Sequence, residues 1–315
     1  MAVPSRYTPE NLLSAVGNPH LLLGELHRIG VRCNVWLHER SKPSEGTRVM
    51  DEDWDNLIIL DGCRFDMFES KNTIRGNLQR RRSLGSESWE FLNANFAGET
   101  YHDTVYVTAN PHAPKLPSGT FHDVINLLEG GWDEELGTVR PETVVEATLQ
   151  AQKQYPNKRL IAHFMQPHYP FIGERGQKLA HKGITVHLST EERTDTKRKV
   201  WTDLAYNRLD KSRVQDAYWE NLDIVLDHVD DLLGSLSGLS VVSSDHGNLL
   251  GETTHPIPAD GYGHPRGLNI DELRIVPWLL VGGSKRRTVV AETPAEPDVP
   301  DSAVVEERLH DLGYR

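Results

Sequence analysis

Five short apolar runs, each followed by a polar turn, alternate with amphipathic segments along this chain. The runs are typical of buried strands and span residues 55–61, 103–110, 159–165, 238–245 and 274–282. Apolar residues at spacings of three and four predict helices over residues 10–29, 88–96, 141–154, 214–236 and 302–312. Strands that alternate with helices form parallel sheets covered on both faces. The sequence therefore predicts a three-layer α/β/α sandwich with a mostly parallel central sheet.

The length of the chain, 315 residues, suits one large α/β domain or two modest ones. No internal repeat or low-complexity linker divides it, so we predict a single domain over residues 1–315. The polar segment at about 173–211 breaks the alternation and is interpreted as an insertion between two sheet elements. Long insertions in compact domains usually carry function, and we predict that this one determines substrate specificity.

Composition excludes several classes of protein. Hydrophobic residues make up 37% and charged residues 25% of the chain, as in globular proteins. The formal charge of −12 argues against a nucleic-acid partner, because phosphate contacts need a basic surface. No apolar run approaches the roughly 18–20 residues of a membrane helix, and the N-terminus, MAVPSRYTPENLLSAVG, lacks a signal-peptide pattern. We therefore expect a cytoplasmic protein with no membrane span.

Two smaller features of the composition concern charge and cysteine content. The basic run Arg80–Arg82 is either a solvated loop or a local attractor for an anionic substrate. The two cysteines, Cys33 and Cys63, are too few for a disulfide framework or a cysteine zinc site.

Acidic residues and a histidine follow two of the predicted strands. Asp61 closes the strand NLIILD, and the pair Asp245–His246 follows VVSS. Each could be a polar turn or a helix cap. If the two strands are neighbours, however, two carboxylates and an imidazole meet at the sheet edge where open α/β folds bind ligands. Such a group is stable only with a cation, and this donor set suits zinc or manganese.

A serine near a helix start supplies a candidate nucleophile. Ser86 and Ser88 lie in GSESWE, just before an amphipathic segment. A hydroxyl at a helix N-terminus meets free backbone N–H groups, and contact with a metal would let it lose its proton near neutral pH. The alternative is a simple N-cap with a glutamate nearby.

Histidines in two loops could reach the same edge of the sheet. His163 and His168 lie in HFMQPHYP, and His264 lies in GYGHPRG. Loops at strand ends can bring imidazoles toward a developing charge. A lone loop histidine is more often only solvated, and His255 in ETTHPIP is the clearest example of that alternative.

The order of these motifs resembles the alkaline phosphatase superfamily, within it the sulfatase-like and phosphoethanolamine-transferase-like branch. The similar motifs, from residue 55 to residue 282, are LIILDGCRFD, GSES, HFMQPHYP, SSDHGNLLGE, GYGHP and LRIVPWLLVGG. The resemblance implies an alkaline-phosphatase-like fold and a metal centre formed by four residues: Asp61, Ser88, Asp245 and His246. It also implies that His168 binds the transferring group and that His264 binds the same group or a second metal.

This sequence departs from true sulfatases at the nucleophile. No C-x-P-S-R motif is present, and Cys63 lies too close to Asp61 to replace it, so formylglycine chemistry is not expected. Counting ten residues back from Gly98, the glycine that ends the family's helix, favours Ser88, with Ser86 as the alternative. Arg64 is either a substrate clamp or part of a structural salt bridge.

The resemblance implies an enzyme that acts on small anionic esters. The metal-activated serine would attack phosphorus or sulfur, forming a covalent phospho- or sulfo-enzyme that water or an acceptor alcohol releases. Serine favours phosphate over sulfate, and one or two divalent ions are expected. The alternative is a catalytically silent metal-binding module on the same scaffold. A serine esterase and a dinucleotide-binding enzyme are disfavoured, because neither G-x-S-x-G nor G-x-G-x-x-G occurs in a fitting place.

Overall fold

A seven-stranded sheet forms the centre of the computed structural model, which describes residues 19–40, 45–179, 200–283, 285–294 and 302–312. The strands, in chain order, are β1 Asn56–Asp61, β2 Asn77–Arg82, β3 Tyr101–Thr108, β4 Phe121–Asn126, β5 Trp132–Asp133, β6 Thr138–Val139, β7 Arg159–Pro167, β8 Leu239–Ser244, β9 Leu249–Thr254, β10 Ala259–Gly263 and β11 Ile275–Gly282. The central sheet has the order β2-β11-β8-β1-β7-β3-β4. Its pairings are parallel from β8 to β4, whereas β11 runs antiparallel to β8 and β2.

Helices cover both faces of this sheet. They are α1 Pro19–His38, α2 Phe65–Lys71, α3 Ser88–Phe96, α4 Pro141–Gln154, α5 Glu174–Gln177, α6 Val200–Ala205, α7 Lys211–Ser235, α8 Asp271–Arg274 and α9 Ser302–Asp311. The apolar face of α7 and those of α2 and α4 pack in the core cluster on one side, and α3 packs in the cluster on the other. The predicted three-layer α/β/α sandwich with a mostly parallel sheet is confirmed.

The position of β1 at the centre of the sheet follows from its sequence. All six of its residues are buried, as expected for a strand covered on both faces. Successive side chains point to opposite faces, so Ile58 and Leu60 enter the cluster with α7, while Leu57 and Ile59 enter the cluster with α3.

Several element boundaries differ from the sequence-based expectation. The helix predicted over residues 10–29 ends at His38, and residues 10–18 lie outside the described residues. Strands β2 and β4 were not predicted, because neither has a continuous apolar run. The interpretation of Arg80–Arg82 as a loop is wrong: these residues end β2, an outer strand of the sheet. Charged residues on an edge strand are common because they oppose pairing with other chains.

The predicted insertion at about 173–211 is described only in part. The short helices α5 and α6 lie within it, but residues 180–199 are outside the described residues. The role of this segment in specificity and the single-domain organisation therefore stay predictions. A two-stranded hairpin, β9–β10, follows the Asp245–His246 turn, and α1 packs on it through Asn34, whose side chain contacts Thr254 and the Ile257 carbonyl.

Candidate metal centre

Strand register brings Asp61 next to the Asp245–His246 pair. Strands β1 and β8 are adjacent and parallel, and Leu60 is paired with Ser244, so the residues that follow leave the sheet at the same edge. Asp61, Asp245 and His246 are fully buried. Nε2 of His246 lies 3.5 Å from Oδ1 of Asp61 and 3.5 Å from Oδ2 of Asp245. The three side chains predicted from distant parts of the sequence therefore meet in one place.

Backbone amides hold the Asp245 carboxylate in a fixed orientation. Its Oδ1 accepts hydrogen bonds from the N–H groups of Gly62 (3.0 Å) and His246 (2.9 Å). Gly62 adopts a φ of 68°, a conformation that glycine reaches without strain. Burial raises the pKa of Asp245, but His246, His163 and the Gly62 N–H together outweigh this and hold it well below its ordinary value. Asp245 is therefore an ionised carboxylate with Oδ2 directed toward the histidines.

The tautomer of His246 follows from its backbone contact. Its Nδ1 lies 2.7 Å from the carbonyl oxygen of Gly247, and a carbonyl can only accept, so Nδ1 carries the proton. In the neutral ring, the form that binds a metal, the lone pair is then on Nε2, and the other nitrogen is oriented by a second contact.

The spacing around His246 matches a cation site. Its Nε2 lies 3.3 Å from Oγ of Ser88, in addition to the two carboxylate oxygens at 3.5 Å. In a tetrahedral zinc site with ligands at about 2.0–2.2 Å, neighbouring ligand atoms are about 3.3–3.6 Å apart. Each of these three oxygens therefore lies at the distance from His246 Nε2 that two ligands of one such ion would have.

His163 belongs to the same cluster. One ligand atom each of Asp61, His163 and Asp245 lies within 4.8 Å of the others, and the hydroxyl of Tyr106 is 2.7 Å from His163 Nδ1. His163 lies in the HFMQPHYP motif, but no sequence feature assigns it as a ligand. Its partner, Tyr106, occupies an ordinary apolar position of β3, and no sequence signal identifies it.

Buried polar atoms in this cluster support the presence of a cation. Among the described residues, Oδ2 of Asp245 and Nε2 of His163 have no hydrogen-bond partner, and their mutual distance of 3.8 Å is too long for one. An ionised carboxylate oxygen that is buried without such a bond is costly. A divalent ion would satisfy it, and the mixed carboxylate and imidazole donors fit zinc or manganese.

Ser88, and not Ser86, faces this cluster. Ser88 is the first residue of α3, whose N-cap is Glu87, and its Oγ lies 3.2 Å from Oδ2 of Asp61. Oγ of Ser86 instead donates to Glu90 (2.6 Å) and accepts from the N–H of Gly267 (3.0 Å).

An amide at the end of β3 also contacts the first aspartate. Nδ2 of Asn110 donates to Oδ2 of Asp61 at 2.9 Å. Asn110 ends the strand predicted over residues 103–110, so its position at the sheet edge could have marked it as a site residue. It was not among the site residues predicted from the sequence.

His168 and His264 form a second group beside His246. The ring centroid of His264 lies 4.9 Å from that of His168 and 4.7 Å from that of His246. Nδ1 of His168 donates to the carbonyl of Tyr169 (2.6 Å), and Nδ1 of His264 lies 3.1 Å from Oδ1 of Asn248. Burial and the neighbouring His246 lower the pKa of His168 to about 4 and that of His264 well below its ordinary value. Both rings are therefore neutral near pH 7.

Arg64 lies in a network of ion pairs. Its guanidinium contacts the carboxylates of Asp66 (2.7 Å) and Glu252 and donates to the carbonyl of Asn248 (3.2 Å). The sequence left two interpretations of Arg64 open, a structural salt bridge and a substrate clamp. The observed contacts are those of a salt bridge. His255 is exposed in the turn between β9 and β10.

Two cationic side chains, Lys115 and Arg266, contact the residues on either side of Ser88, and neither was predicted from the sequence. Nζ of Lys115 donates to Nδ1 of His112 (2.6 Å) and lies 5.6 Å from the ring centroid of Trp89. Burial and Lys115 lower the pKa of His112 to about 3. On the loop after His264, the half-exposed Arg266 pairs with the helix cap Glu87 (2.7 Å).

Comparison with known sequences gives no assignment. No family model matches this chain, and no curated protein is significantly similar to it. Among the described residues, no helix combines the length and apolar character needed to span a membrane.

Comparison with solved structures gives matches to the branch that the sequence resembles. They include the soluble domain of lipooligosaccharide phosphoethanolamine transferase A from Neisseria meningitidis (14% identity, 71% of this chain and 75% of that chain, TM-score 0.44). The integral membrane form of that protein matches at 13% identity over 86% of this chain and 55% of that chain (TM-score 0.46). The C-terminal periplasmic domain of EptC from Escherichia coli, in complex with Zn, matches at 11% identity over 78% of this chain and 77% of that chain (TM-score 0.45). Sulfatases and an alkaline phosphatase superfamily protein also match. Because these TM-scores are below 0.5, the function has to be inferred from the side chains of this protein and not from the matches.

Proposed function

We propose that this protein is a metal-dependent enzyme that hydrolyses or transfers small phosphate esters, and less favourably sulfate esters, through Ser88. The observation that carries the proposal is the position of Ser88 Oγ, 3.2 Å from a carboxylate oxygen of Asp61 and 3.3 Å from Nε2 of His246. A hydroxyl at a helix start, beside residues suited to a cation, is the arrangement expected for an activated nucleophile.

The residues that would hold the ion are Asp61, Asp245, His246 and Ser88, and His163 lies in the same cluster, within 4.8 Å of both aspartates. A divalent ion bound there supplies a Lewis acid that lowers the pKa of a contacting hydroxyl and neutralises charge on the ester. Asp61 accepts a hydrogen bond from Ser88 and so orients the hydroxyl oxygen of the serine. Asn110, which donates to the same carboxylate oxygen, fixes the orientation of Asp61.

The reaction that this geometry supports has two displacements. Ser88 Oγ forms a bond to phosphorus while the bond from phosphorus to the leaving oxygen breaks, and that oxygen departs as an alcohol after taking up a proton. Water or an acceptor alcohol then attacks phosphorus, the bond to Ser88 breaks, and the serine regains its proton. Hydrolysis and transfer differ only in this acceptor.

His168 and His264 would act on the transferring group through a second cation. With Nδ1 of each ring committed to a carbonyl oxygen, the neutral imidazoles carry their lone pairs on Nε2. In that form they suit a second cation, whereas binding an anionic ester oxygen directly requires the protonated form. Because His264 is partly exposed, we propose that substrate enters on its side. Lys115 and Arg266 would attract the anionic ester there.

The test is turnover of a panel of aryl phosphates, phosphodiesters and sulfates by protein freed of metal and then loaded with zinc or manganese. We expect metal-dependent release of phenol, and an intact-mass adduct on Ser88 when the reaction is stopped early. Ser88→Ala should lose at least about a thousandfold in kcat, whereas the matched control Ser86→Ala should keep most activity.

Two results would contradict the proposal. Full turnover by Ser88→Ala would remove the assigned nucleophile. Tight metal binding without turnover of any ester would favour a catalytically silent module. The expected cytoplasmic location and the preference for phosphate stay predictions.

A further inference from the structure

A chain of buried polar side chains leads from strand β3 to the carboxylate of Asp245. It consists of Thr108 and Tyr106 on β3 and His163 on β7, all of them fully buried. Strands β3 and β7 are parallel neighbours in which Thr108 is paired with His163. Burying a hydroxyl, a phenol and an imidazole together is costly unless each of them is hydrogen-bonded. The direction of these bonds determines what His163 presents to the metal centre.

Each hydroxyl in this chain accepts a hydrogen bond from one side, so its own proton points to the other. The N–H of Asn110 donates to Oγ1 of Thr108 at 3.0 Å. Burial raises the pKa of the Tyr106 phenol well above its ordinary value, and a hydrogen bond from Thr108 opposes that rise. A hydrogen bond lowers a phenol pKa where the phenol oxygen accepts it. The phenol is therefore protonated, and its proton is left for Nδ1 of His163, 2.7 Å away.

The tautomer of His163 follows from this direction. In the neutral ring one nitrogen carries a proton and the other accepts. Because Nδ1 accepts from Tyr106, the proton is on Nε2, which lies 3.8 Å from Oδ2 of Asp245. This separation is longer than a hydrogen bond, but attraction between an N–H dipole and a carboxylate charge is weakly screened in a buried site. The opposite tautomer would set a lone pair against that carboxylate oxygen and reverse the bond from Thr108.

We propose that His163 is a positioning residue of the metal centre, which directs its Nε2–H to Asp245 and is itself oriented by Tyr106. The inference deepens the proposed function and rests on the metal centre which that function requires. The grouping of His163 with Asp61 and Asp245, within 4.8 Å, would also suit a metal ligand, but a ring nitrogen that carries a proton does not bind a metal. His163 therefore acts through Asp245, in the way that donors around a metal site hold its carboxylate ligands in place.

The first test is the affinity of metal-free protein for zinc, measured by competition with a chromophoric chelator. His163→Leu removes the donor and should weaken the dissociation constant for zinc about ten- to a hundredfold. His163→Gln should bind zinc within about threefold of the wild type, because the glutamine amide donates an N–H but is not a usual zinc ligand. The matched control is Tyr101→Phe, which removes a phenol of the same strand that donates to the carbonyl of Asn95 (2.9 Å) and should leave zinc affinity unchanged.

A double variant separates loss of the positioning role from loss of the fold. His163→Leu alone takes the acceptor away from the buried Tyr106 hydroxyl, which by itself lowers stability. In Tyr106→Phe/His163→Leu both partners are apolar, so we expect a protein that is folded by circular dichroism and has the same loss of zinc affinity as His163→Leu. Because Tyr106 acts through His163, the effects of the two substitutions on zinc affinity should not add.

The second test observes the proton directly. Nitrogen NMR shifts of zinc-loaded protein show which ring nitrogens of a histidine are protonated, and the signals of His163 are identified by their loss in His163→Gln. We expect a proton on Nε2 of His163 while zinc is bound.

Several results would overturn the inference. Unchanged zinc affinity in both His163→Leu and the double variant would make His163 an ordinary core residue. His163→Gln as weak as His163→Leu, or an Nε2 without a proton in the zinc-loaded protein, would make His163 a ligand. The proposed function fails separately, because ester turnover tests Ser88 and the zinc affinity of these variants tests His163. Only a wild-type protein that binds no zinc would end both.

Discussion

Replacing Asp245 by asparagine removes one charge from the centre with little change in shape. The oxygen that accepts from the N–H groups of Gly62 (3.0 Å) and His246 (2.9 Å) is retained. The other oxygen, which faces His246 Nε2 at 3.5 Å, becomes an amide donor. The substitution therefore keeps the local fold and converts a ligand atom into a group that repels a cation.

The size of the effect follows from Coulomb's law. A cation held between Oδ2 of Asp245 and its neighbours would lie within about 4 Å of the carboxylate charge. At an effective dielectric constant of about 20, that interaction is worth about 4 kcal/mol per unit of cation charge. For a divalent ion the loss is at least this large, so the dissociation constant for metal weakens by at least about a thousandfold. The depressed pKa of Asp245 means that the charge is present throughout the working pH range.

Titration of zinc or manganese into metal-free protein, in competition with a chromophoric chelator, measures this loss directly. The control is Asp271→Asn, which removes an exposed carboxylate that pairs with Arg82 and should leave metal affinity unchanged. A folded Asp245→Asn variant that binds metal within about threefold of the wild type would show that Asp245 is not a ligand.

Three further predictions concern the surroundings of the site. Burial lowers the pKa of His168 from 6.5 to about 4, so the unfolded chain binds more protons than the folded protein between these pH values. The free energy of unfolding of metal-free protein, measured by urea titration, should therefore fall by up to about 3 kcal/mol as pH drops through that window. In His168→Gln this free energy should depend less steeply on pH. Arg64→Met should lower the free energy of unfolding by about 1–3 kcal/mol, because it leaves Glu252 without its cation; unchanged stability with a raised KM would instead identify a substrate clamp. Gly62→Ala and its control Gly98→Ala, with φ of 68° and 85°, should each lose about 1–2 kcal/mol in urea unfolding, but only Gly62→Ala should also weaken metal binding.

The sequence predicts the residues at strand ends best. Asp61, Asp245 and His246 each follow a strand whose apolar run is unambiguous, and parallel order alone places the ends of neighbouring strands at one edge. The 3.5 Å separation of Asp61 and His246, which are 185 positions apart in the sequence, follows from that order. The choice between Ser86 and Ser88 needed the structure, because both lie at the same helix start.

Contacts that depend on the interior of the sheet could not be read from the sequence. His163 lies within a buried strand and is distinguished from an ordinary core residue only by its approach to Asp245 and by the Tyr106 hydroxyl. Neither contact has a sequence spacing that would predict it. Strand β2 was missed for a different reason: its arginines suit an exposed edge, where apolar patterning is weak.

The sheet order also explains why metal binding and folding should be linked in this protein. Four consecutive strands, β8, β1, β7 and β3, carry the cluster residues at or near their carboxyl ends, so no local segment can assemble the site alone. A slip of one residue between β1 and β8 would turn Asp61 to the other face of the sheet and separate it from His246. An ion that binds only the correctly paired sheet therefore stabilises the whole domain by mass action. The gain is about 2.7 kcal/mol at a free metal concentration one hundred times the dissociation constant.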